Sequence, residues 1–199
     1  MPSTRLYGPS IATPSPASGV PAINVQAQTG IIPLPATLTT GTSTAEALVP
    51  NPATPTKPLL VQVPSNSNLE QRVWEFECTG YIVTGGTTNV TLKTYAALGT
   101  ATLSTSSTLL GSSGAIAQNS AKAPFWAHAK LIFDSVSGKL TGTIDYLINN
   151  TVVASVAVGT VLTGISDTAN PVLSLGLSIT CSAGFATNEI IVQEMCIKF

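Results

Sequence analysis

Charged residues are scarce in this sequence of 199 residues, because Asp, Glu, Lys and Arg together make up 9% and the net charge is −1. A typical soluble domain carries about 25% charged residues. The eight Lys and Arg residues form no basic cluster, so we expect no nucleic-acid partner. The low charge is expected of a protein whose surface is largely covered by other subunits.

Long apolar runs are also missing, although 44% of the residues are hydrophobic. A helix that crosses a membrane needs about 20 consecutive apolar residues. No run approaches that length, so we expect no membrane partner. The three cysteines, Cys78, Cys181 and Cys196, are scattered and form no CxxC pair. This odd, scattered set predicts neither a disulfide framework nor a zinc site, and we interpret the thiols as small buried apolar groups.

Residue groupings typical of enzymes are absent from the sequence. The single histidine, His128, has no nucleophile motif such as GxSxG nearby, and we interpret it as a residue on the outer face of a strand. Glu75 and Glu77 would lie about 7 Å apart on a strand, which suits a glycosidase pair, but a solvated polar sheet face explains them more simply. No calcium loop or phosphate-binding glycine loop is present. We therefore predict a protein that is not an enzyme, with no catalytic residue, metal or cofactor.

Proline is concentrated at one end of the chain, where twelve of the fourteen prolines fall within the first 64 residues. Each proline fixes φ and removes an N–H, which works against helix formation. The only aromatic residue in this part is Tyr7, so the segment is predicted not to build a core of its own. We predict that residues 1–66 form an extended arm and that residues 67–199 form the folded domain, which should fold without residues 1–64.

Apolar residues recur along this predicted arm, although an inert linker does not require them. They suit a chain that lies over a neighbouring subunit and places side chains in small pockets. The alternative is a flexible tail with incidental apolar residues. The predicted anchors for a partner are Tyr7, Ile31, Ile32, Leu34, Leu48, Val49, Leu59 and Leu60.

From about residue 67 apolar and polar residues alternate, which is typical of strands with one buried face. In RVWEFEC (72–78), one face carries Trp74, Phe76 and Cys78. In VLSLGLSITC (172–181), Leu, Ile and Cys share one face, and Ser174, Gly176, Ser178 and Thr180 share the other. In the last segment, one face is predicted to carry Ile191, Met195, Ile197 and Phe199.

Turn signals divide this part of the chain into eight or nine predicted strands without a helix. They are TGG (84–86), DSVSGK (134–139) and Asn149-Asn150, where Asn tolerates the positive φ of a tight hairpin. Residues 101–121 are expected to hold a short strand and a long loop. The pattern predicts an all-β, jelly-roll-like antiparallel β-sandwich preceded by a long extended Pro-rich N-terminal arm. An immunoglobulin-like sandwich is the alternative.

The segment LEQRVWEFECTGYIVTGGTTNVTLKTYAALGT (69–100) resembles the opening of a class of bacteriophage virion proteins. The shared features are an aromatic alternating strand, a TG step, a GG hairpin and an NVTLKxY strand. APFWAHAKLIFDSVSGKLTGTIDYLINN and ATNEIIVQEMCIKF fit the same outline. The resemblance covers roughly residues 69–199 and leaves the predicted arm outside it.

This resemblance implies a head decoration (cement) protein, a jelly-roll domain that binds and reinforces a phage capsid. Its expected partners are the major capsid protein or other virion subunits. A homo-oligomer, with a trimer favoured, is expected on the virion surface after synthesis in the host cytoplasm. The alternative is a tail or fibre component that binds host surface carbohydrate, for which Trp126 and Tyr146, with Phe125 nearby, are the candidate sugar-stacking residues.

Overall fold

A computed structural model of the protein describes residues 35–63, 73–98, 103–118, 122–134, 139–162 and 173–198. Within these ranges the regular structure is entirely β. Numbered in chain order, the strands are β1 (Ala36–Thr39), β2 (Ala47–Leu48), β3 (Pro50–Asn51), β4 (Thr54–Pro58), β5 (Val61–Val63), β6 (Val73–Val83), β7 (Thr88–Leu98), β8 (Thr108–Ser112), β9 (Ile116–Gln118), β10 (Ala123–Asp134), β11 (Lys139–Ile148), β12 (Thr151–Val161), β13 (Leu173–Cys181) and β14 (Glu189–Lys198).

Two antiparallel sheets pack face to face around a shared apolar core. Sheet I has six strands in the order β1-β14-β6-β10-β11-β12. Sheet II has the order β2-β13-β7-β8, with β5 also paired to β13 and β9 also paired to β7. A small separate ladder joins β3 and β4. The predicted all-β antiparallel sandwich is therefore confirmed.

The strand order is that of a jelly roll. Along the chain, β1 takes the first position, β2 with β5 the second, β6 the third, β7 the fourth, β8 with β9 the fifth, and β10, β13 and β14 the last three. The two sheets then have the orders 1-8-3-6 and 2-7-4-5. This is the arrangement of two Greek keys in an eight-position jelly roll. The hairpin of β11 and β12 extends sheet I by two further strands.

The predicted boundary between arm and domain is wrong for the described residues of the arm. Residues 36–63 supply the first two positions of the jelly roll, since β1 pairs with β14 and both β2 and β5 pair with β13. Ala36, Val49 and Leu59 belong to the same core as the large aromatic residues. The fold therefore begins no later than β1, and the remainder of the predicted arm lies outside the described residues.

Alternation correctly predicts the buried face of β6, where Trp74, Phe76 and Cys78 are fully buried. It is only half right for β13, whose predicted core face is buried but whose small polar face is buried as well. Ser174 and Ser178 are both inaccessible to solvent. Side chains of the segment 46–62 account for this, because Glu46 accepts a hydrogen bond from Ser178 and Gln62 donates one to Ser174 on the outer face of sheet II.

The face predicted for the last strand is wrong in its first half. Ile190 and Val192 point into the core, while Ile191 is on the outer side of the sheet. The pairing of β14 with β6 shifts between Val192 and Glu194, so Gln193 is the extra residue of a β-bulge. A bulge exchanges the two faces beyond it, which returns Met195 and Ile197 to the inner side as predicted. Phe199 lies outside the described residues.

The turn predictions agree with the structure wherever it describes them. Asn149 and Asn150 have φ angles of 52° and 61° and connect β11 to β12 as a two-residue hairpin. TGG (84–86) separates β6 from β7. DSVSGK joins β10 to β11, although its residues 135–138 lie outside the described part. In the region expected to hold one short strand, the structure has two, β8 and β9.

Asn188 fastens three loops at one end of the sandwich. Its side-chain oxygen accepts a hydrogen bond from the Gly85 amide at 3.0 Å, and its side-chain nitrogen donates to the Ala183 carbonyl at 2.9 Å. Its own carbonyl accepts from the Thr40 amide at 2.9 Å. Because Asn188 is fully buried, these bonds are shielded from water and hold the end of β1 against both sheets.

A pair of hydroxyl groups bridges the sheets inside the core. The side-chain oxygens of Tyr146 on β11 and Thr94 on β7 lie 2.9 Å apart, and both residues are fully buried. Burial raises the pKa of Tyr146 to about 12, against an opposing contribution from the hydrogen bond with Thr94. We expect Tyr146→Phe to lower the free energy of unfolding by about 1.5 kcal/mol, because it leaves the Thr94 hydroxyl without this partner.

The control for this prediction removes both hydroxyls. In the double variant Tyr146→Phe with Thr94→Val, no buried polar group is left behind, and most of the lost stability should return. Urea denaturation of four proteins, namely the wild type, the two single variants Tyr146→Phe and Thr94→Val, and the double variant, measures the effect. A double variant less stable than the sum of the two single changes would contradict the assignment.

Candidate interaction surface

The structure describes four of the eight predicted partner anchors. Tyr7, Ile31, Ile32 and Leu34 lie outside the described residues. Among the other four, Val49, Leu59 and Leu60 are buried and Leu48 is half-buried, all within the protein's own sandwich. The prediction of contact with a neighbouring subunit is therefore wrong for Val49, Leu59 and Leu60, and it stays a prediction for Leu48.

Leu48 and Leu60 of the segment 46–62 cover part of the outer face of sheet II, whereas Val49 and Leu59 belong to the main core. Leu60 packs with Tyr95, Ala97 and Leu103 in a small second core, with Leu48 at its edge. The Leu103 side chain and the Leu59 carbonyl occupy the space above Gly176, which leaves no room for a β-carbon there. A backbone hydrogen bond of 3.1 Å from the Val49 amide to the Leu177 carbonyl fixes the segment in place.

One carboxylate fastens the start of this segment. The two side-chain oxygens of Glu46 accept hydrogen bonds from Lys93 Nζ at 2.6 Å, Tyr95 Oη at 2.7 Å and Ser178 Oγ at 2.6 Å. We call these four residues the Glu46 cluster. Lys93 and Tyr95 lie on β7 and Ser178 lies on β13, so the cluster ties the segment to two central strands of sheet II.

The electrostatics of the cluster favour an ionised Glu46. Burial alone would raise the pKa of Glu46, but the hydrogen bonds from Lys93, Ser178 and Tyr95 outweigh it and lower that pKa. Burial, together with the hydrogen bond to Glu46, raises the pKa of Tyr95 and keeps its hydroxyl protonated. The arrangement is a saturated structural contact, since the carboxylate already accepts three strong hydrogen bonds.

The outer face of sheet I carries a polar row that crosses five strands. Register places Cys196, Glu77, His128, Asp145 and Ser155 side by side on successive strands. Asp145 accepts a hydrogen bond from Ser155, and the Cys196 thiol lies 4.0 Å from a Glu77 oxygen. The next row contains an exposed ion pair between Lys130 and Glu75 at 3.2 Å.

Beside this polar row runs an apolar one, which we call the Trp126 row. It consists of Trp126, Leu147 and Val152, which are cross-strand neighbours on β10, β11 and β12. Trp126 and Leu147 are half-buried, and 58% of Val152 is exposed. Nearby, the Lys122 ammonium lies 4.2 Å from the centre of the Tyr81 ring. Apolar and aromatic side chains together on one sheet face are typical of a contact surface.

The predicted sugar-stacking group is not assembled. Phe125 and Tyr146 are fully buried in the core, whereas Trp126 is on the opposite face of the same sheet. The physical reason is that adjacent residues of a strand point to opposite faces. Within the described residues, Trp126 instead shares its face with Tyr81 and Leu147.

The residues considered for catalysis lie on this open sheet face. His128 stands between Glu77 and Asp145 by register, and Glu75 is paired with Lys130. The described residues contain no group of three or more His, Cys, Asp or Glu arranged to hold a metal ion. Cys78 and Cys181 are buried and Cys196 is half-buried. Burial raises the pKa of both the Cys78 and the Cys181 thiols, which makes them poor nucleophiles.

No family model, curated protein or solved structure matches the chain. In the described part of the chain, no helix has the length and apolar character needed to cross a membrane.

Proposed function

We propose that this protein is a non-enzymatic virion structural protein, a decoration or cement protein that binds and stabilises a phage capsid. Its partners would be the major capsid protein or other virion subunits. The resemblance of residues 69–199 to phage virion proteins suggests the virion. The jelly-roll-like sandwich and the low content of charged residues are compatible with a subunit that packs among others.

The observation that carries the proposal is the outer face of sheet I. Its Trp126 row is apolar, with Val152 exposed and Trp126 and Leu147 half-buried, and it is bordered by a polar row. A weakly charged protein with a partly exposed row of Val, Leu and Trp on a sheet face gains by burying that row against a partner. The segment 46–62 is already committed to sheet II, so this face and the four remaining predicted anchors are the proposed contacts with the shell.

Location on the particle is tested with phage particles that carry this chain. Gold-labelled antibodies raised against the purified protein are expected to label the heads of intact particles at regular positions. Label confined to the tail, together with selective binding of the full chain on a glycan array, would establish the carbohydrate-binding alternative instead. Particles without any label would contradict both.

The contact face is tested by substitution in the same particles. We expect Trp126→Ala to raise the dissociation constant for particles stripped of the protein roughly tenfold, since large aromatic residues dominate interface energies. Leu109→Ala is the matched control, because Leu109 is an exposed apolar residue (43%) on β8 of the other sheet. Equal binding by wild type and Trp126→Ala would remove this face from the proposal.

A further inference from the structure

The four edges of the sandwich differ in how well they are protected against strand addition. β12, at one end of sheet I, is 11 residues long and has the sequence TVVASVAVGTV. It contains no charged residue and no proline, and its one register shift, at Val153 near its start, leaves residues 154–161 in regular pairing with β11. Among the described residues nothing pairs with its outer side. A long, uncharged edge strand presents a row of backbone groups ready to pair with another strand.

The other three edges carry the usual protections. β1, at the opposite end of sheet I, has only four residues. One edge of sheet II is formed by β2 and β5, with two and three residues, next to the proline-rich β3 and β4. Its other edge is formed by β8 and β9, with five and three residues, and the pairing of β8 includes a register shift. Short strands, prolines and bulges all oppose edge-to-edge pairing.

The composition of β12 favours its own copy as the partner. In an antiparallel pair around a two-fold axis, residues near the axis lie opposite their own copies, so a charge there would meet a like charge. β12 has none. It is also the longest edge strand in the described part of the chain, so among these edges only a second β12 can pair with it along most of its length.

We infer that β12 pairs with the β12 strand of a second copy of this chain, antiparallel around a two-fold axis. The pairing joins two six-stranded sheets into one continuous sheet whose outer face carries both Trp126 rows. Such a pair differs from the trimer predicted from the sequence. It stands independently of the proposed virion role, because only backbone and side chains of this chain take part.

The test measures the mass of the full chain in solution by sedimentation equilibrium. Wild type is expected at twice the chain mass of 20.3 kDa. Ala157 is exposed and lies one residue from the middle of β12. Ala157→Glu adds two carboxylates about 8 Å apart across the pair, which should weaken the dimer roughly tenfold at low salt. At 1 M salt, screening should restore much of the affinity.

Thr143→Glu is the matched control, since Thr143 is the exposed cross-strand neighbour of Ala157 on β11, one strand away from the edge. It should remain a dimer. Hydrogen exchange gives a second measurement, in which the amides of residues 151–161 that point away from β11, about every second one, are protected in the dimer and exchange faster on dilution. A monomeric or trimeric wild type, or a dimer that Ala157→Glu leaves intact, would overturn the inference. Protection of the amides of β12 that point away from β11 in a monomer would assign the edge to this chain's own residues and would also overturn the inference.

Discussion

Deletion of residues 1–63 is expected to leave a chain that does not fold, whereas deletion of residues 1–34 leaves a folded protein. The longer deletion removes β1 to β5 and with them the first two positions of the jelly roll. It also removes Val49 and Leu59 from the core, and losing such buried side chains costs about 2–5 kcal/mol each. Total stabilities of about 5–15 kcal/mol do not survive that loss together with two strands.

The shorter deletion is the control, because every described contact of the sandwich lies beyond residue 34. Far- and near-ultraviolet circular dichroism with thermal melting distinguishes the two proteins. The 1–34 deletion should melt cooperatively within about 3 °C of the full chain, a shift that corresponds to about 1 kcal/mol. A cooperative melt for the 1–63 deletion would show that residues 67–199 fold alone, as the sequence first indicated.

The sequence predicted most of the sandwich because its strands follow simple alternation. Trp74, Phe76 and Cys78 are buried on one face of β6 as expected, and the Asn149-Asn150 hairpin has the positive φ angles that Asn tolerates. These features depend on local geometry alone. They are therefore visible in a single sequence without knowledge of the tertiary contacts.

The proline-rich segment was misassigned because composition does not identify the surface that a segment covers. The apolar residues of the segment 46–62 indicated a docked chain, and the structure shows it docked on its own domain. Prolines do not prevent this, because edge strands and short ladders tolerate a missing N–H. One signal was available in β13, where Ser174, Gly176 and Ser178 form a face of small uncharged residues that suits a covering segment.

Two further errors have local causes. A prediction from alternation assumes that the faces alternate without interruption along the whole strand. The bulge at Gln193 interrupts them, so a face assigned from Met195 and Ile197 puts Ile191 on the wrong side. The sugar-stacking group failed because Phe125 and Trp126 are adjacent on one strand and must point to opposite faces. Register then pairs Trp126 with Leu147 and leaves Tyr146 in the core. Which residues lie side by side on the outer face of sheet I can be determined only once the order of the strands is known.

Replacement of Glu46 by Gln is expected to have the second-largest effect, a loss of about 3 kcal/mol in the free energy of unfolding. The Gln side chain has one acceptor oxygen in place of two. Its NH₂ group adds a hydrogen-bond donor where Lys93, Tyr95 and Ser178 already donate. Lys93, whose side chain is only 27% exposed, then loses its carboxylate at 2.6 Å. Glu75→Gln is the matched control, because the Glu75–Lys130 pair is 3.2 Å long and more exposed, and should change stability by less than about 0.5 kcal/mol.

The same cluster predicts how stability depends on pH. The folded pKa of Glu46 lies below its ordinary value of 4.5, so the unfolded chain binds the proton more readily. The stabilisation is therefore complete above the unfolded pKa and disappears as the pH falls through the folded pKa. Urea denaturation of wild type and Glu46→Gln between pH 7 and pH 3 should show a difference that is largest at neutral pH and shrinks in acid. A difference that is constant with pH would mean that the ionised carboxylate does not hold the segment 46–62 on sheet II.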